Sequence, residues 1–218
     1  MNSICTRLAA GTLVAALAVG LPPAALGQAD NVTSSKHNMS TRSGLTNYGE
    51  VCVYCHTPHG GGTQNAPLWN RTFGAGPYQM YNNSYSSTID MTVAASPQGV
   101  SLACLSCHDG TIGLDVIINR PNADTSMAGS GNTMPLNAGQ FFANLGTDLR
   151  NDHPISITYD NVADPAFNAP TGGKVDILPL YTGRVECGTC HNPHNTTNTP
   201  FLRKANSSSN LCKTCHIK

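Results

Sequence analysis

The sequence predicts a low-regularity fold, mostly coil with short α-helices and little β, whose interior is filled by something other than side chains. Three observations carry this. Proline and glycine number 14 and 21 among 218 residues. They are scattered with Asn, Ser and Thr, as in Gly60-Gly-Gly, Pro97-Gln-Gly, Gly129-Ser-Gly and Asn195-Thr-Thr-Asn, and so interrupt any long helix or strand. Apolar periodicity is weak throughout, with Ile155-Ser-Ile-Thr-Tyr159 the best strand-like alternation. Finally, the pentapeptide Cys-x-x-Cys-His recurs four times.

The chain opens on a leader, residues 1–29, expected to be cleaved. Arg7 supplies a positive n-region, and the apolar run from Leu8 to Val19 is shorter than the about 20 residues a membrane span needs. Leu21-Pro22-Pro23 ends the run, and small residues follow at Ala25-Leu26-Gly27. Residues 30–218 then form the mature chain, exported to the cell surface or beyond, with the periplasm as the alternative. Twelve basic and twelve acidic residues balance, and charged residues are only 11% of the chain. The basic patch that nucleic acid requires is therefore missing. No later segment reads as a membrane span.

Cys52-Val-Tyr-Cys55-His56 is followed by Cys104-Leu-Ser-Cys107-His108, Cys187-Gly-Thr-Cys190-His191 and Cys212-Lys-Thr-Cys215-His216. Of nine cysteines, Cys5 leaves with the leader and the other eight all lie in these motifs. This is the attachment signature of c-type haem. Two thiols bond to the porphyrin vinyl groups and the adjoining imidazole is held under the iron. Zinc would be satisfied by two Cys-x-x-Cys pairs and needs no histidine after each. Four reactive disulfides in one exported chain would be unusual. The expectation is four covalently attached haem c groups that act as the core.

Eight histidines are present. His56, His108, His191 and His216 are spent as proximal ligands, which leaves His37, His59, His153 and His194 for four sixth positions. The count favours bis-histidine ligation, with Met39, Met80, Met91, Met127 and Met134 as competing ligands. The spacing repeats: residues 37–108 and 153–216 both read H…CxxCHxPH…CxxCH. Three residues past His56, beyond a redirecting proline, His59 can hardly reach over the same ring. It is placed for a neighbouring haem.

This organisation resembles the doubled CxxCH family of multihaem cytochromes. The early KHNMS histidine, CVYCHTPHG and the CGTCHNPH…LCKTCH tail resemble more closely the OmcE-type tetrahaem outer-surface cytochromes, which polymerise into filaments (nanowires) with a continuous haem chain. The resemblance implies His59 on the haem of Cys104 and Cys107, and His194 on that of Cys212 and Cys215. His37 and His153 would then serve the remaining two. The second half departs from strict duplication, with a much shorter insert between its motifs.

Electron transfer is the expected function, with other cytochromes or extracellular metal oxides as redox partners. A homopolymer would form through haem stacking, and a monomeric periplasmic or surface carrier is the alternative. A multihaem reductase needs an open iron position, but all four motifs end in histidine and the ligand count closes every site. The polar segment DNVTSSKHNMS has little to bury and is expected to be mobile. His37 could therefore ligate a haem of a neighbouring copy or of its own chain. Tyr48, Trp69, Tyr78, Tyr81, Tyr85 and Phe141-Phe142 are candidates for packing on porphyrin or in the core. Sequons at Asn31, Asn38, Asn70, Asn82, Asn195 and Asn206 read as polar coil.

Overall fold

Short helical pieces form where the cysteine motifs lie, and coil connects them. The structure, a computed structural model, describes residues 30–62, 65–74, 76–121, 129–134 and 143–217. The leader, Met127 and Phe141-Phe142 lie outside the described residues. The α-helices are α1 (Asp30–Thr33), α2 (Gly99–His108), α3 (Cys187–Cys190) and α4 (Cys212–Cys215), with 3-10 turns at Met39–Thr41, Cys52–Tyr54 and Ser207–Ser209. The strands are β1 (Ile157–Thr158), β2 (Lys174–Val175), β3 (Leu178–Pro179) and β4 (Arg184–Val185). β1 pairs antiparallel with β4, Ile157 opposite Val185, and β2 pairs antiparallel with β3, Val175 opposite Leu178. Among the described residues no helix is long and apolar enough to cross a membrane.

The strand foreseen over 155–159 is cut to two residues. Ser156 sits at φ 54, in the left-handed region, which breaks the extended run. Its backbone N–H still bonds Val185 O at 2.8 Å, and its hydroxyl turns inward to Glu186. At ten residues, α2 is the longest of these helices. It stops where Gly110 takes φ 71, the left-handed position after a helix end that glycine fills without strain.

Apolar side chains form three small clusters. Met39, Tyr48, Val53, Tyr54 and Ile117 surround the first motif, with Cys55 packed against them. Met80, Leu105 and Leu149 pack at the second. Met91, Ile157, Tyr159, Val175 and Val185 pack against Cys215 of the fourth. Polar residues join the clusters. Asn70 is fully buried and its side-chain N–H groups donate to Val53 O (2.8 Å) and Asn119 O (2.9 Å), while Oδ1 accepts from Asn119 N at 2.8 Å. Glu186 is buried and accepts from the hydroxyls of Ser101 and Ser156. Buried polar groups satisfied in this way fix one arrangement of coil that propensity alone leaves open.

Candidate functional site

Each motif wraps its thiols onto one turn. In the first, third and fourth, the histidine N–H bonds the carbonyl of the first cysteine: His56 to Cys52 at 2.8 Å, His191 to Cys187 at 2.9 Å, His216 to Cys212 at 2.9 Å. Cysteines three apart on such a turn face the same side. The backbone then leaves the helix at the histidine, extended at φ −111 for His191 and φ −90 for His216, which swings the imidazole away from the turn. The second motif instead occupies the end of α2, with His108 its last residue. α3 is held by a reciprocal cap: Glu186 N–H donates to Thr189 Oγ1 at 3.0 Å, and the Glu186 carboxylate accepts from the Thr189 backbone.

Three of the four motif imidazoles are oriented by backbone carbonyls. His56 Nδ1 bonds Pro67 O at 2.7 Å, His108 Nδ1 bonds Ala143 O at 2.6 Å, and His191 Nδ1 bonds Pro200 O at 2.9 Å. His153 Nδ1 likewise meets Pro154 O at 2.9 Å. A carbonyl only accepts, so Nδ1 carries the proton and Nε2 keeps its lone pair for a metal.

The imidazoles also come in facing pairs. Ring centres lie 6.1 Å apart for His37 and His108, 6.2 Å for His56 and His194, and 6.4 Å for His153 and His216. Two imidazoles bound to one metal at about 2 Å each, with each centre roughly 1.1 Å behind its nitrogen, stand roughly 6 Å apart. The ring-centre distances therefore match two imidazoles on one iron, and one ring of each pair belongs to a Cys-x-x-Cys-His turn. Neither zinc ligation nor disulfide linkage fits as well. Among the described residues no group of three or more His, Cys, Asp or Glu is placed to hold a metal ion alone, and the eight motif cysteines are free of disulfides. Burial pushes the Cys55 thiol up to about 12 and the Cys190 thiol up to about 11. At these two positions burial disfavours the charged thiolate.

The facing rings differ from the distal assignments that the resemblance implies. His37, not His59, faces His108, and His194 faces His56 rather than His216, which is opposite His153. His37 does not hang on a free arm. It stacks on Phe201 with centres 4.5 Å apart, its Nδ1 is buried without a hydrogen-bond partner, and burial lowers its pKa to about 4, aided by His108 and Arg42. The arm is held because Asn38 Nδ2 bonds Thr33 O, Arg42 bonds Lys36 O, and Met39 enters a core cluster. Burial lowers His108 and His194 as well, which keeps them in the neutral form that coordinates. Among the described residues, His59 and His191 face no imidazole, and both are exposed.

Met39, Met80 and Met91, named above as competing ligands, are spent on core packing. Of the aromatic candidates, Trp69 stands edge-on to His56 at 5.5 Å, Tyr48 is buried in a core cluster, and Tyr78 donates to Asp109 at 2.7 Å. Tyr81 and Tyr85 pair with each other, 5.2 Å between centres. Phe201 on His37 and Phe167, 4.3 Å from His216, escape sequence reasoning. Neither lies in a motif, and nothing in a lone phenylalanine marks it. Between the second and third motifs, α2 packs on α3.

No curated protein matches the chain. Residues 179–218 match the family described as the doubled CXXCH motif, which supports a multihaem c-type cytochrome that carries electrons and binds haem c covalently.

Proposed function

We propose that the chain is an exported tetrahaem electron carrier that polymerises head to tail into an electron-conducting extracellular filament, as its resemblance to the OmcE-type cytochromes implies. The proximal ligands are His56, His108, His191 and His216. Within one subunit the distal ligands are His194, His37 and His153 for the first, second and fourth sites. Bound haem supplies a one-electron iron couple at each motif. The protein supplies the ligands, their orientation and the close approach of one motif to the next.

The observation that carries the filament reading is the pair left over. The first histidine of each half serves the last motif of its own half, as His37 does for His108 and His153 for His216. The histidine of CxxCHxPH crosses instead: His194 of the second half faces His56 of the first. Applied to His59, the same rule reaches a His191 that its own subunit does not bring to it. Satisfied between copies, this contact joins the first half of one subunit to the second half of the next. Made head to tail rather than by reciprocal two-fold exchange, such an interface is heterologous and propagates as a filament. On this reading the linking role passes from His37 to His59.

The test is microscopy of secreted material from two variants. His59→Ala is expected to give soluble four-haem subunits whose altered iron lies at His191, whereas His37→Ala alters the haem of His108 and leaves polymers. Normal filaments from His59→Ala would refute the joint. Soluble monomers from the unaltered chain would return the protein to the role of a diffusing carrier.

A further inference from the structure

Arg71 is 1% exposed, and its guanidinium spends every donor on uncharged acceptors. Nη1 bonds Leu114 O (2.8 Å) and Val116 O (3.1 Å), Nη2 bonds Ser106 O (2.9 Å) and Gly113 O (2.8 Å), and Nε bonds Ser106 Oγ (3.3 Å). Five N–H groups are all that arginine has. The two acidic residues nearest in sequence to these acceptors are engaged elsewhere. Asp109 accepts from Tyr78 OH and Thr111, and Asp115 accepts from Thr46 N and Ser130 N. Among the described residues no carboxylate pairs with Arg71, so its positive charge is buried against neutral acceptors. Burying an ion without a counter-ion is costly, which makes a purely structural use a poor account of this position.

The charge sits at the second motif. Ser106 lies between Cys104 and Cys107, and the guanidinium bonds both its carbonyl and its hydroxyl. Its chain neighbour Asn70 bonds Cys55 O from its backbone N–H at 2.9 Å and Val53 O from its side chain at 2.8 Å, which holds Arg71 close to the first motif as well. The cation is therefore bonded to the backbone of the second motif and lies one residue from a contact with the first.

We infer that Arg71 is a potential-tuning residue, a buried unpaired cation that raises the reduction potential of the haem at Cys104 and Cys107 and, more weakly, of the haem at Cys52 and Cys55. Adding one electron lowers the charge of a ferric haem by one, so a fixed cation beside it favours the reduced form. Buried, the charge is little screened by salt. Asymmetry of this kind along the haem row sets where electrons rest within a subunit. The inference rests on covalent haem at these motifs, and the haemochrome band of the unaltered protein is read first. Its absence would sink the haem assignment itself, independently of Arg71.

The experiment is a spectroelectrochemical titration of the four-haem protein and two matched pairs of variants. Arg71→Gln is expected to move one or two of the four one-electron components at least tenfold toward the oxidised form, about 59 mV for a one-electron couple. Arg71→Lys keeps the charge, breaks the carbonyl array and should stay within about threefold of the parent. The second pair does not remove Arg71. Ser106→Asp pairs the guanidinium and should lower the same components, whereas Ser106→Ala removes the hydroxyl's two hydrogen bonds, from Arg71 and to Ala103 O, without adding a charge and should not. Equal shifts in Arg71→Gln and Arg71→Lys would show that packing, not charge, is responsible. If the Arg71 variants do not fold, the Ser106 pair decides, and an unmoved potential in Ser106→Asp overturns the inference.

Discussion

Replacing Asn70 with alanine should loosen the first motif and the mount of His59 together. The Asn70 side chain makes three hydrogen bonds, to Val53 O inside the motif and to both Asn119 O and Asn119 N. Asn119 in turn donates from Nδ2 to His59 O at 3.0 Å, behind the turn where Gly60 takes φ 68. Truncation leaves two carbonyls and one N–H buried without partners. Each such group costs about 1–3 kcal/mol, and the carbonyls fall at the low end where truncation lets water reach them. The expected loss is about 3–5 kcal/mol, a large share of a typical stability of about 5–15 kcal/mol. Guanidinium unfolding followed by haem absorbance and far-ultraviolet dichroism measures it, and faster hydrogen exchange at the Asn119 amide localises it. Asn70→Asp keeps the acceptor but buries a charge and should lose at least as much. A loss below about 1 kcal/mol in Asn70→Ala would refute the reasoning, because no single buried orphan is worth so little.

Three further outcomes follow. Denatured mature protein should carry four covalent haems and no alkylatable thiol, as read by pyridine haemochrome and mass. His194→Ala should create a high-spin haem at Cys52 and Cys55, not at Cys212 and Cys215. The EPR signal lost should be that of near-parallel imidazoles, since His56 and His194 lie 23° from coplanar while His37 and His108 cross at 87°. Asp115→Asn should destabilise the fold in a pH-dependent way. Burial pushes the Asp115 pKa up, but hydrogen bonds from Thr46 and Ser130 win, and its folded value lies below the ordinary 3.8. The advantage of the native carboxylate is therefore present above that ordinary value. It should shrink as pH falls through the folded one, which acid unfolding of the two proteins can compare.

Much of the candidate site is legible from residues close together in the chain. Two cysteines and a histidine at i, i+3 and i+4 fall on one turn whatever surrounds them, so attachment sulfurs and proximal imidazoles can be named without a fold. Weak periodicity and scattered Pro and Gly likewise foretell short elements and a divided core. Distal pairing obeys no such local rule. His194 meets His56, and His37 meets His108, across long stretches of coil whose course is set by buried polar side chains such as Asn70 and Glu186. The repeat H…CxxCHxPH…CxxCH suggests a pairing within each half, and packing overrides it for His194. The orienting partners of the proximal rings are carbonyls of Pro67, Ala143 and Pro200, which any residue could provide. They leave no trace in the sequence. Arg71 reads there as one more surface cation, because burial is a property of what folds over a residue and not of the residue. Local spacing thus determined which groups can hold haem, while the tertiary structure decided which imidazoles meet, which two meet none among the described residues, and where the Arg71 charge is buried.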